Sequence, residues 1–172
     1  LDSDQFSQEL QAVGSIGRLD YVLGLYYFDE NAGEVAATPN TNTWNATGTA
    51  YTINNSLTWQ RQNWVISRAT RAESTSYAAF AHLNWRATDQ LQVTLGGRYT
   101  HDKKTGVLYN VNNVATNFPF EFKGDRFDPM VSIAWQATPD FNLYAKYSTG
   151  YRAGGASSRS LTFRSFGPET VD

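Results

Sequence analysis

Residues Tyr77–His101, YAAFAHLNWRATDQLQVTLGGRYTH, decide the fold. In the first half Tyr77, Ala79, Ala81, Leu83 and Trp85 alternate with Ala78, Phe80, His82, Asn84 and Arg86. In the second half Leu91, Val93, Leu95, Gly97, Tyr99 and His101 alternate with Gln92, Thr94, Gly96, Arg98 and Thr100. A strand sends successive side chains to opposite faces, so this period of two makes one apolar and one largely polar face. Ala87-Thr88-Asp89-Gln90 between the halves is short enough for a hairpin connection. The pattern recurs further on: Trp135-Gln136-Ala137-Thr138 aligns with Trp85-Arg86-Ala87-Thr88, and Leu143, Ala145, Tyr147, Thr149 and Tyr151 then alternate with polar partners.

Working outward, residues 4–13 and 18–30 read as further strands, with a turn at Gly14-Ser15-Ile16-Gly17. Residues 125–136 and 142–152 complete six strands, and Pro168-Glu169-Thr170-Val171-Asp172 leads into a seventh. Residues 31–71, 102–124 and 153–167 are expected to be long loops, with a strand pair projecting from the first near residues 51–66. Connections thus alternate short and long, and in an up-and-down meander this puts every short turn on one rim and every long loop on the other. Trp85 and Trp135 stand on the apolar face beside short turns, and Tyr27, Tyr99 and Tyr151 stand near the long-loop rim. An apolar band between two aromatic girdles suits a bilayer, because these rings favour its interfaces. The expected class is all-β: an antiparallel up-and-down transmembrane barrel segment. A soluble antiparallel sandwich also alternates and is the competing architecture, but it has no reason to gather its long loops at one end.

Composition narrows the function. The 172 residues carry 14 Lys and Arg against 16 Asp and Glu, so nucleic acid finds no basic footprint. With no cysteine, disulfides and thiolate metal sites are excluded. No apolar run reaches the length of a membrane helix, but spanning strands need only roughly 9–11 residues.

Phe6–Leu10, Leu19–Phe28, Thr94–Thr100, Leu143–Arg152 and Pro168–Asp172, in this order and spacing, resemble TonB-dependent outer-membrane receptors. The resemblance covers nearly the whole chain. It implies a barrel of roughly 22 strands with a plugged lumen. It also implies import of a scarce nutrient, such as a ferric siderophore, driven through the inner-membrane TonB complex. Residues 1–172 are then expected to be an internal barrel segment, with the plug and TonB box carried elsewhere. The partners implied are outer-membrane lipid, the TonB complex through other parts of the receptor, and an extracellular ligand. No cofactor and no enzymatic activity are expected. A passive porin-like channel remains the alternative transporter.

For capture of a ligand, Trp44, Tyr51, Trp59 and Trp64 in the first loop can stack on a catechol, a haem or a sugar ring, or can pack their own hairpin. Arg159 and Arg164 in the third loop are placed to meet an incoming anion. Arg86, Arg98, Lys146 and Arg152 share the polar face, where Asp20 and Asp128 are available as partners. His82 lacks a second metal ligand at useful spacing. His101 and Asp102 are strand neighbours that point to opposite faces and so do not form a general-base pair.

Overall fold

The computed structural model describes residues 1–39, 42–44, 50–53 and 65–171. Its centre is one antiparallel sheet. The long strands are β1 (Asp2–Ile16), β2 (Leu19–Pro39), β5 (Val65–Arg86), β6 (Leu91–Val111), β7 (Val114–Thr138) and β8 (Phe141–Ser148), paired in the order β1-β2-β5-β6-β7-β8. This is an up-and-down meander. Between β2 and β5 lies a small hairpin of β3 (Asn42–Trp44) and β4 (Tyr51–Ile53). After β8, β9 (Gly150–Arg152) continues the same line and pairs with β12 (Glu169–Val171), the expected lead into a seventh strand. β10 (Gly155–Ala156) and β11 (Ser165–Phe166) form a two-residue hairpin within the connecting segment.

Three turns explain the register. Gly17 and Arg18 join β1 to β2, and Gly17 has φ +60. A positive φ at the first central residue followed by a negative one is the type II′ order that matches strand twist. The turn is thus two residues, not the Gly14–Gly17 stretch expected. Gly14 instead pairs with Tyr21, whose phenol fills the space where a Cβ would stand. Gly17→Val should cost about 1–2 kcal/mol through a strained φ, whereas Arg18→Ala, at the neighbouring negative φ, should cost little; chemical denaturation of the two variants checks this. At 87–90 the Thr88 hydroxyl accepts from the amides of Gln90 (3.2 Å) and Leu91 (2.9 Å), a local bond that suits threonine to turns.

The third turn corrects a larger expectation. Residues 102–124 are not a long loop. β6 and β7 stay paired from Leu91↔Trp135 up to Val111↔Val114, with one irregularity at Leu108–Asn110. Asn112 (φ 51) and Asn113 (φ 63) close the hairpin, the two positive φ values that a type I′ turn requires. The Asn112 side-chain carbonyl accepts from the Ser67 amide at 2.9 Å, tying the tip to β5. Pro119 is tolerated because β8 pairs only with residues 130–138 of β7, leaving β7 an edge at that height. Likewise β2 runs on to Pro39 and β5 begins at Val65, deep inside the first expected loop.

Register lines up one face across the sheet. Successive rows are Leu10, Leu25, Ala79, Tyr99, Phe127; Ala12, Leu23, Ala81, Gly97, Pro129; and Gly14, Tyr21, Leu83, Leu95, Val131, Tyr147. Trp85, Ile133, Trp135 and Leu143 lie towards the short-turn rim. Most of these large side chains are exposed, Leu10 at 64% and Phe127 at 58%. Among the described residues no second layer covers them, so a soluble sandwich does not describe this sheet. Exposed apolar surface of this extent marks a face that meets a membrane or another protein surface and not water. Among the described residues no helix is long and apolar enough to cross a membrane, which leaves open a crossing by strands.

Candidate functional site

The opposite face is the lumen wall, and its side chains are organised as cross-strand contacts. Phe80 on β5 lies across Gly24 on β2, its register partner, and occupies the space above the missing Cβ. The Arg98 guanidinium sits 5.3 Å from the Tyr26 ring centre and 5.8 Å from that of Phe80, and its Nε donates to Thr100 at 3.1 Å. Two aromatic faces thus hold one cation upright over the wall. Asp128 accepts from Arg126 Nε (3.2 Å) and from the Thr149 hydroxyl (2.8 Å). Arg86 meets Asp20 at 3.3 Å near the short-turn rim, and Arg152 meets Glu169 at 3.5 Å. Together with His82, Asp102 and Tyr151, which lies on this inner face and not in the apolar-face girdle expected for it, Arg98 and Asp128 line a concavity of about 710 Å³.

His101 and Asp102 do diverge. His101 Nδ1 lies 2.8 Å from Asp125 on the neighbouring strand, and its ring stacks on Tyr77 with centres 4.8 Å apart. Tyr99 donates its hydroxyl to the same carboxylate at 2.6 Å. These groups belong to the outward face, in the rows where apolar surface gives way to Asp29, Lys103 and Lys123. They form an interfacial aromatic girdle rather than a reactive pair. Higher on that face Lys123 bonds Glu121 at 3.0 Å and holds its carboxyl below the usual range. No group of His, Asp and Glu suited to a metal occurs among the described residues.

Above the membrane band the inner face becomes aromatic. Phe118, Phe120 and Phe122 on β7 share it with Gly106 and Leu108 on β6 and with Arg68 and Thr70 on β5. Segment 153–167 folds against this wall. Phe163 is 6% exposed, adopts φ +52, and its ring meets Phe120 edge-on at 6.3 Å. Gly106 supplies the notch: a Cβ there would lie 3.1 Å from the Phe163 ring and 3.0 Å from the Arg71 carbonyl. Leu108 is wholly buried beneath. Arg68 donates to the Arg159 carbonyl and to Thr38 Oγ1, both at 2.6 Å.

The sequence-expected capture residues are dispersed in this frame. Trp44 and Tyr51 pair in register in the β3–β4 hairpin, and Trp59 and Trp64 lie outside the described residues. Arg159 and Arg164 are exposed, but both sit in the inward-folded segment, where the Arg164 carbonyl accepts from the Ser157 amide at 2.9 Å. Arg68 and Phe163 were not legible as site residues. The alternating Phe118, Phe120 and Phe122 gave the one available signal, hidden by Pro119 between them.

A wall with a lipid-facing band, a polar lumen and tall outer strands defines a transmembrane barrel segment. Residues 2–172 match the family model described as TonB dependent receptor-like, beta-barrel, and the chain belongs to that family. The family is one of receptors and transporters rather than enzymes, and it places the chain in the bacterial outer membrane. Among its relatives is the iron-regulated outer membrane virulence protein of Vibrio cholerae serotype O1, in two strains, 30% identical over 88 residues. That alignment covers 51% of this chain and 11% of the relative, so the matched part spans about a tenth of the relative's length. The crystal structure of the ferric yersiniabactin uptake receptor FyuA from Yersinia pestis superposes with a TM-score of 0.72 at 20% identity, over 98% of this chain and 24% of that one. The fold is therefore that of a receptor barrel wall.

Proposed function

We propose that this chain is part of the wall of an outer-membrane receptor that takes up a scarce nutrient by TonB-dependent transport, a ferric siderophore or similar iron complex being the favoured cargo. Family membership over residues 2–172 carries the reading. The iron assignment draws on the relative named as iron-regulated and on the siderophore named for FyuA. In this reading the plug and TonB box lie in parts of the receptor outside this chain. The described wall contributes what its geometry allows: a lipid seal, a lumen lined by Arg98, Asp128 and Arg86, and an aromatic outer vestibule.

The test is uptake of radiolabelled iron, supplied as a panel of ferric siderophores, by cells carrying or lacking the full-length receptor. Receptor-dependent uptake that stops when TonB is deleted or the proton-motive force is collapsed supports the proposal. Uptake that persists without either would identify a passive channel instead.

A further inference from the structure

Arg68 is a buried cation without a counter-ion among the described residues. Its residue is 9% exposed, yet its guanidinium bonds only two neutral oxygens, those of Arg159 and Thr38. Its Nε has no partner. Among the described residues no carboxylate lies within ion-pair distance of it. Glu34, in the next inner-face row opposite Thr70, makes no such pair. Residues 40–64 contain no Asp or Glu, so that segment cannot neutralise it either. An unpaired buried charge is costly, and a planar guanidinium fork is built for a bidentate oxyanion. A carbonyl and a hydroxyl are weak substitutes.

The carbonyl it holds belongs to the segment pinned by Phe163. That residue's φ of +52 is unfavourable for a bulky L-side chain and persists while the ring is seated on Gly106 and Phe120. We propose that Arg68 is an anion-binding latch: a carboxylate or phosphate group of the incoming ligand takes the guanidinium from the Arg159 carbonyl and so releases segment 153–167 from the inner wall. The proposal rests on reading this wall as a ligand vestibule, and it gives the ligand a chemical class, an anion with at least two oxygens on one centre. Anion for carbonyl is a favourable exchange because a bidentate oxyanion brings a compensating charge and a second parallel bond, where the carbonyl accepts only one.

The experiment uses the full-length receptor in detergent, any other cysteines replaced, with a nitroxide on Leu161→Cys, an exposed position in the segment. Citrate and inorganic phosphate are the probes, and chloride at matched ionic strength is the control. The mobile fraction of the label should rise severalfold with citrate or phosphate and not with chloride. Arg68→Gln should give a mobile label without any anion and no further response. Arg68→Lys keeps the charge and loses the fork; its citrate midpoint should rise about tenfold or more, the size of one lost charged hydrogen bond. No response of the Arg68 protein to either anion, or an unchanged midpoint in Arg68→Lys, overturns the proposal. The readout needs neither TonB nor uptake, so failure of the transport assay and failure of the latch are separate results.

Discussion

Leu95→Arg should destabilise the receptor by about 2–4 kcal/mol in a bilayer, whereas Thr94→Arg, one residue away, should be nearly neutral. Leu95 stands in the middle of the lipid-facing band, 50% exposed, between Leu83 and Val131. A guanidinium there has no water to hydrate it, and from mid-band its reach to either interface is longest. Thr94 points to the lumen beside Asn84, to whose side chain its hydroxyl donates at 3.4 Å. Arginine at that position remains hydrated. Denaturant titration of the full-length receptor refolded into phosphatidylcholine vesicles measures both. A larger cost for Thr94→Arg than for Leu95→Arg would mean that the two faces have been assigned the wrong way round, and equal costs would mean that the faces do not differ in their exposure to lipid.

Gly24→Val should cost about 1–3 kcal/mol, because any Cβ at this position overlaps the Phe80 ring and overpacking strains both strands. The ring can yield only by leaving its place beside Arg98, so the cation loses one of its two aromatic faces. That forfeits roughly another 0.5–1 kcal/mol. Phe80→Ala removes the same contact from the other side. The double variant should therefore be less damaging than the summed single changes, with a coupling of about 1 kcal/mol or more. Additive effects would show that Phe80 and Gly24 do not share one packing site.

Much of this architecture was legible because a period of two survives any local context. That Leu25, Ala79, Leu95 and Ile133 share one face follows from alternation alone, whereas the expected gathering of every short turn on one rim fails at Asn112-Asn113, a two-residue turn on the other rim. What misled was punctuation. Gly106, Pro119 and the asparagines at 112 and 113 are turn residues by propensity, yet only the asparagines turn the chain. Gly106 is a notch for a ring from another segment, and Pro119 sits on an edge. Both roles depend on distant neighbours, which no local reading contains. The same limit hid Arg68. Its isolation from the carboxylates of the described residues is a property of assembled strands, and in sequence it is one arginine among several.

The height of the strands has a consequence for how a diffusing solute first meets this wall. β7 has 25 residues and β5 has 22, against roughly 9–11 needed to cross the hydrocarbon. At about 3.4 Å per residue β7 is roughly 85 Å long, and at a tilt near 40° it climbs about 65 Å, of which the apolar band takes about 25 Å. The short-turn rim lies close to the band, so most of the excess stands on the outer side. The wall is a chimney: diffusing solute encounters protein tens of ångströms before the bilayer. Under the proposed transport role, capture is then a search along a tall wall instead of at a hole in a plane.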